Sequence, residues 1–162
     1  MSSVRTYVHY GNKTFSDDKW NHIQNRLGNK PFGGLWASPD DAEFGWKDWN
    51  VDQNYTECNE ADCFRFALRE GARVYMIDSI EALRLLPTNI DKEILITFKG
   101  ETVAYKPEKF YPDFEKITEQ YDVIEFMFSN DWRLYDALYG WDCDCVLVLN
   151  KSVIKTTEAT DE

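Results

Sequence analysis

Two segments within the first forty residues carry side chains that could bind a ligand. The run Tyr7–Gly11 has the alternation of a strand and puts His9 close to a glycine, where an imidazole can face a cleft. The run 33–39, GGLWASP, joins two glycines, which let a backbone approach a ligand closely, to the stacking face of Trp36 and the hydroxyl of Ser38. The plainer interpretations are a half-buried histidine bonded to a carbonyl and a hairpin turn before a core strand.

A pair of carboxylates comes just before the last apolar strand. Asp142 and Asp144 stand two residues apart in the run 140–145, GWDCDC, and the period of a strand would put both on one face. Such a pair could stabilise a developing positive charge or orient a hydroxyl group. The plainer interpretation is a solvated acidic strand edge.

Four cysteines could form disulfides, a metal site or plain buried thiols. The spacings C-x4-C (Cys58, Cys63) and C-x-C (Cys143, Cys145) are not those of zinc knuckles. In a reducing compartment disulfides are disfavoured. We therefore predict buried or half-buried thiols and no metal site.

Strands and short helices alternate irregularly along the chain. The clearest helical pattern begins after Ser16, with Phe15 and Trp20 at the positions of a hydrophobic staple, and extends to 27. A short helix is predicted at 41–49, and Trp46 and Trp49, three apart, share a face of it, as a core pair or as an aromatic wall. Strands are predicted at 4–10, 35–38, 64–68, 73–78, 93–98, 102–105, 123–128 and 146–149, and further helices at 80–86, 113–121 and 131–139.

These elements predict an α+β fold. We expect one compact domain over residues 1–154, in which short antiparallel or mixed strands form two packed sheets with three to four short helices. Residues 155–162 are expected to form a flexible acidic tail. No glycine-rich phosphate fingerprint supports a Rossmann or P-loop fold.

The net charge of the chain limits the classes of partner that it is expected to bind. The 162 residues include 18 Lys and Arg against 29 Asp and Glu, a formal net charge of −11. This excess disfavours direct binding to nucleic acid or to an anionic membrane. The chain shows neither a membrane-spanning run nor a secretory signal, so a cytoplasmic location is expected.

The order of these motifs resembles the ADP-ribosyltransferase-like superfamily, in particular its small bacterial and phage members, over most of residues 4–150. In that family a first strand ends in His or Arg near a glycine, as His9 does here. A second strand follows a glycine-rich turn and carries aromatic and Ser residues, like Trp36 and Ser38. A late strand begins with an acidic E-x-E or Q-x-E motif, where this chain has Asp142-Cys143-Asp144.

The resemblance implies that NAD is the substrate and is split at its nicotinamide–ribose bond. His9 would contact the ribose or the adenylate side, Ser38 would brace the acidic residue, Asp144 would stabilise the cationic ribose, and Asp142 would orient the acceptor. The cofactor-binding residues would be Tyr10, Gly11, Gly34, Leu35 and Trp36, with the backbone of Gly34 and Leu35 holding the amide of nicotinamide.

The resemblance predicts an NAD-dependent mono-ADP-ribosyltransferase that modifies a macromolecular target, most naturally a protein. Two other classes of function stay open. The chain could be an acidic inhibitor that blocks a basic partner, or it could bind a nucleotide signal in a transferase-like cleft without catalysis. The motif departs from the family pattern by carrying Asp in place of Glu and a single Ser in place of Ser-Thr-Ser.

Overall fold

The computed structural model describes residues 4–26, 28–90, 92–106 and 111–157. Within these ranges it is an α+β domain in which nine strands form two sheets and four short α-helices accompany them, and this confirms the predicted α+β class. The strands are β1 (Tyr7–Tyr10), β2 (Leu35–Pro39), β3 (Cys63–Leu68), β4 (Val74–Ile77), β5 (Ile94–Phe98), β6 (Glu101–Tyr105), β7 (Val123–Phe126), β8 (Cys145–Val148) and β9 (Ile154–Thr156); the helices are α1 (Trp46–Gln53), α2 (Ile80–Arg84), α3 (Phe114–Ile117) and α4 (Arg133–Ala137).

The two sheets are unequal. Seven strands form one sheet in the order β4-β7-β8-β2-β1-β3-β9, in which β4 and β7 are parallel and the other neighbours are antiparallel. The strands β5 and β6 form a separate hairpin, and Leu95, Phe98 and Val103 on it are exposed. The buried core therefore lies on the two faces of the large sheet rather than between two comparable sheets.

The centre of the large sheet is apolar on both faces. In β8, Cys145 and Leu147 belong to the cluster that packs with α2, α3 and α4, whereas Val146 and Val148 belong to the cluster on the opposite face. A strand buried on both sides reads as a continuous apolar run, which is why the sequence indicated β8 so clearly.

The predicted helix after Ser16 is wrong. Only a short 3₁₀ turn forms at Asp17–Lys19, and Gln24 instead pairs with Phe32 in an isolated antiparallel bridge. The side chain of Asn25 accepts a hydrogen bond from the backbone of Phe114 at the start of α3. Hydrogen bonds to Phe32 and Phe114, which are distant in sequence, thus replace the backbone hydrogen bonds that a local helix would make. Leu27, at the predicted end of this helix, lies outside the described residues.

The first residues of the tail predicted at 155–162 belong to a strand instead. Lys155 and Thr156 belong to β9, which pairs antiparallel with β3, and the backbone N–H of Thr157 donates to the carbonyl of Arg65. The remainder of the predicted tail, 158–162, lies outside the described residues. In the described ranges, no helix combines the length and the apolar character that crossing a bilayer requires.

Candidate functional site: a cleft where the sheet splits

The cleft begins where β1 and β2 separate. The two strands pair at Tyr7–Pro39 and Val8–Ser38, but beyond this point β2 pairs through residues 35–37 with β8 on its other side. The gap is bridged by a side chain, since Nδ1 of His9 donates to the carbonyl of Trp36 over 2.6 Å. This local opening of the sheet creates a cleft of about 290 Å³.

Residues from five segments of the chain line this cleft. Among the predicted site residues, His9, Tyr10, Trp36, Ser38 and Asp142 lie on its wall. Further lining side chains are Val8, Lys30, Ala37, Trp46, Trp141, Cys143 and Cys145.

The aromatic wall is rigidly built. The Trp36 and Trp141 rings meet edge to face with 4.8 Å between centroids, and Trp141 is buried and donates from its indole N–H to the carbonyl of Asn29. Trp46 lines the cleft and stacks on Trp49, which does not line it, with 5.0 Å between the ring centroids. Edge-to-face and stacked pairs of this kind hold ring faces in place for a planar ligand.

His9 is fixed at both ring nitrogens. With Nδ1 donating to Trp36, Nε2 is the acceptor for the Asn12 amide at 3.3 Å, and the ring packs on Phe64 with centroids 5.2 Å apart. The histidine therefore holds the open end of β1 in position. Both nitrogens already have protein partners in this arrangement, as the plainer interpretation of a carbonyl-bonded histidine proposed.

Ser38 connects β2 to the start of α1 and to the segment that precedes β8. Its hydroxyl accepts from the backbone N–H of Trp46, at the start of α1, at 2.9 Å and donates to the backbone carbonyl of Asp144 at 3.0 Å. Ser38 thus supports the acidic segment through the backbone of Asp144 and not through its carboxylate.

The two predicted carboxylates do not share a face. Asp142 lies on the cleft wall and is partly exposed, whereas Asp144 is fully buried and does not line the cleft. The Ser129 hydroxyl lies 2.9 and 3.1 Å from the two oxygens of Asp144, and the backbone N–H groups of Ser129 and Phe44 also donate to them. Strand alternation fails here because β8 begins only at Cys145 and the chain bends at 143–144.

The predicted glycine and leucine contacts lie elsewhere. Gly11, Gly34 and Leu35 are not on the cleft wall. Gly34 has φ +73°, and a Cβ there would come within 2.7 Å of the carbonyl oxygen of Val148. Its glycine is required by close packing of β2 against β8. Leu35 packs on the cluster opposite the helices.

A second, charged groove continues from the cleft. It measures about 300 Å³ and shares Val8, Tyr10, Ser38 and Trp46 with the cleft. Arg65 lies in it and pairs with both Asp40 and Glu60, each at 3.0 Å. Because this cation already has two carboxylate partners, the groove offers little attraction for a phosphate group.

Sequence reasoning did not single out several wall residues as site residues. Trp141, Cys143 and Cys145 lie in the same run 140–145 as the two predicted aspartates, and Lys30 lies in a loop far from it in sequence. The described side chains include no group of three or more His, Cys, Asp or Glu able to hold a metal ion.

Comparison of the chain with models of known protein families, with curated proteins and with solved structures gives no match.

Proposed function

We propose that the protein binds NAD in this cleft and transfers the ADP-ribose group to a protein target. The observation that carries the proposal is the convergence of His9, Trp36, Ser38 and Asp142, from three separate segments, on one cleft. The motif order that resembles ADP-ribosyltransferases requires the same convergence. A volume of about 290 Å³ lies at the lower end of small-molecule pockets and suits the nicotinamide–ribose half of the dinucleotide.

The cleft chemistry suits a cationic ring. The pyridinium of NAD is planar and positively charged, and tryptophan faces attract such rings by stacking and by cation–π interaction. We assign this role to Trp36 and Trp46, which line the cleft; one face of Trp46 is stacked on Trp49, and the Lys30 ammonium lies over the Trp36 ring. Lys30, whose Nζ lies 5.6 Å from the centroid of the Trp36 ring, is in reach of the cleft and would meet a phosphate there.

Asp142 takes the electrostatic role that the sequence assigned to Asp144. It is the carboxylate that the described lining residues offer to the cleft. As the bond between the ribose carbon C1′ and the ring nitrogen breaks, nicotinamide leaves with the electron pair and the ribose becomes cationic. A nearby carboxylate stabilises that charge until a target nucleophile donates its electron pair to C1′ and loses its proton to solvent.

The direct test measures both NAD binding and nicotinamide release. NAD should raise the melting temperature of the wild type. Replacing Asp142→Asn should slow nicotinamide release roughly a hundredfold, because one charged group facing the transition state is lost. The matched control is Asp136→Asn, an exposed carboxylate of α4 outside the cleft, which should leave the rate unchanged. Absence of any NAD-induced shift, or equal rates in wild type and Asp142→Asn, would contradict the proposal.

A second candidate is nucleotide binding without transfer. It is favoured by the burial of Asp144, whose carboxylate is already occupied by Ser129 and Phe44. The family pattern uses two acidic positions, and only one of the two faces the cleft here. A clear melting shift with NAD or ADP-ribose, together with no nicotinamide release by the wild type, would select this function over transfer.

A further inference from the structure

Within the described residues, the β5–β6 hairpin has no strand neighbour outside itself. Its base is fixed where Thr88 pairs with Pro112 in an isolated antiparallel bridge. Beside that bridge, the backbone N–H of Asn89 donates to the carbonyl of Tyr111 over 2.7 Å. A hairpin of two strands is marginally stable by itself in water, so a further strand would stabilise this one.

The strand β6 is the accessible edge of the hairpin. All five of its residues, Glu101–Tyr105, are exposed, whereas β5 contains the buried Ile94 and the half-buried Ile96. Its sequence, ETVAY, has no proline and no lysine, and its one charged residue, Glu101, stands at its start. Proline, lysine and inward-pointing charges are the usual means by which a sheet edge is kept from pairing. This edge is therefore open to another strand.

The turn of the hairpin determines which backbone groups of β6 face outward. The turn residues 99–100 have φ +50° and +79°, as a two-residue hairpin turn requires, and Phe98 and Glu101 flank them as a pair. The flanking pair is bonded within the hairpin, and inward and outward bonding alternate along an antiparallel strand. The backbone N–H and C=O groups of Thr102 and Ala104 therefore point to the free edge.

We propose that this edge is a homodimer interface, in which β6 pairs antiparallel with β6 of a second copy about a two-fold axis at Val103. In such a self-pairing, Thr102 lies opposite the partner's Ala104, and each of these pairs exchanges two backbone hydrogen bonds. A two-fold axis normal to the sheet keeps paired side chains on the same face, so odd positions pair with odd and even with even. The register centred on Val103 is the one that includes all five residues of β6.

The side chains of β6 are compatible with this self-pairing. Val103 is 59% exposed and would face its own copy across the axis, with about 5 Å between the two Cβ atoms. Glu101 would lie opposite the partner's Tyr105, so no carboxylate opposes another. The register of the hairpin puts Ile96 and Phe98 on the same face as Val103. Two hairpins would thus form a four-stranded sheet with an apolar centre on that face.

The charge of the hairpin favours a second copy at this position. Residues 92–106 contain three lysines and two glutamates, whereas the whole chain carries a net charge of −11. Two copies can therefore meet at the hairpin without the acidic excess that makes the rest of the chain repel its like. An interface made by one strand edge is smaller than the roughly 1,200 Å² at which stable complexes begin, so we expect a weak dimer.

Sedimentation velocity of the full chain, from about 5 µM to about 500 µM, tests the interface. The wild type should shift with concentration from the chain mass of 19.1 kDa towards twice that mass. The shift should be larger at about 0.5 M NaCl than at about 0.05 M, because salt screens the repulsion between the two acidic domains. A dimer held by ion pairs would show the opposite dependence on salt.

Substitution at the axis tests the register. Val103→Lys should weaken the dimer roughly tenfold, because the valine pair is lost and two ammonium groups oppose each other. The matched control is Leu95→Lys, which replaces another exposed apolar residue of the same hairpin, on β5 and away from the axis. It should leave the dimer unchanged. Circular dichroism checks that both variants are folded.

A charge-swapped pair locates the axis. Val103→Glu should be monomeric by itself, like Val103→Lys, but an equimolar mixture of the two variants should form a heterodimer, because opposite charges then face each other. A wild type that stays monomeric over the whole range, or a dimer that Val103→Lys does not weaken, would overturn the interface. A mixture that remains monomeric would overturn the axis at Val103. The cleft has no lining residue in 92–106, so the dimer stands or fails separately from NAD binding, which the melting shift of the same variants reports.

Discussion

The two ends of β8 each hold a buried aspartate, and the two aspartates serve different purposes. At the start of the strand, Asp144 is held by the neutral donors of Ser129 and Phe44. At its end, the Asp122 carboxylate accepts hydrogen bonds from the backbone N–H and the guanidinium of Arg73 and from the side-chain amide of Asn150. The Asp122 carbonyl also accepts from the backbone N–H groups that follow the strand.

The two sites differ in whether the side chains next to the buried aspartate bond within the site or face the cleft. At the end of β8, the polar groups named above bond to one another, so this junction holds neighbouring strands of the sheet together. At the start, one buried aspartate satisfies the local donors, and its neighbours Asp142, Cys143 and Cys145 turn to the cleft. The cleft wall that carries Asp142 is thus supported by a second aspartate, Asp144, which is buried and does not reach the cleft.

The largest effect should come from removing the support at the start of the strand. Asp144→Ala leaves the backbone N–H groups of Ser129 and Phe44 without an acceptor in a buried site, which should cost about 3 kcal/mol of the free energy of unfolding. Urea unfolding measures this loss, and the NAD-induced melting shift should disappear with it. Asp144→Asn keeps one acceptor oxygen and should recover most of the stability. If Asp144→Ala were as stable as the wild type, the support would not exist.

A change near the end of the strand should lower stability alone. Gly34 faces Val148 at a positive φ, and the Cβ of an alanine would lie 2.7 Å from a backbone oxygen. Gly34→Ala should cost about 2 kcal/mol, measured by urea unfolding, because the left-handed backbone and the clash both disfavour it. The melting shift produced by NAD should be preserved. Loss of that shift in a folded variant would instead favour the contact between Gly34 and nicotinamide that the resemblance implied.

The smallest effect should be a pH dependence at the end of the strand. The hydrogen bonds and charge of Arg73 lower the pKa of Asp122 to about 2 from an ordinary value of 3.8. A carboxylate with a lowered pKa binds its proton more readily in the unfolded chain, so its contribution is complete above about pH 4 and is lost as the pH falls towards 2. Asp122→Asn should therefore differ most from the wild type at neutral pH, and the difference should shrink on acidification. Denaturant unfolding from pH 7 to pH 3 measures it, and a constant difference would refute the assignment.

Local patterns predicted most of the strands and some helix starts. The helix predicted to start at residue 80 does start there as α2, and the side chain of Ser79 accepts from the backbone N–H of Ala82 as an N-cap should. The apolar runs that became β7 and β8 are buried on both faces, and alternation or continuous apolar character is the direct signature of that burial. These features depend on neighbours in sequence, which a pattern can capture.

The helix after Ser16 shows where local patterns fail. Phe15 and Trp20 do contact each other, with ring centroids 6.4 Å apart, although only the 3₁₀ turn at Asp17–Lys19 lies between them. The contact that the staple anticipated is therefore made across a short 3₁₀ turn and not within an α-helix. Further along the predicted helix, the backbone of Gln24 bonds to Phe32, a partner that no local pattern identifies.

By itself, the sequence determined an α+β chain with a strongly acidic balance and the residue types of a candidate site. Only the tertiary structure decided which of those residues meet. It opened the sheet between β1 and β2, brought His9, Trp36 and Asp142 to one cleft, and turned Asp144 into the core. The physical reason is that side-chain direction beyond a strand end follows hydrogen bonds to distant segments, here Ser129 and Phe44, and not the period of the strand.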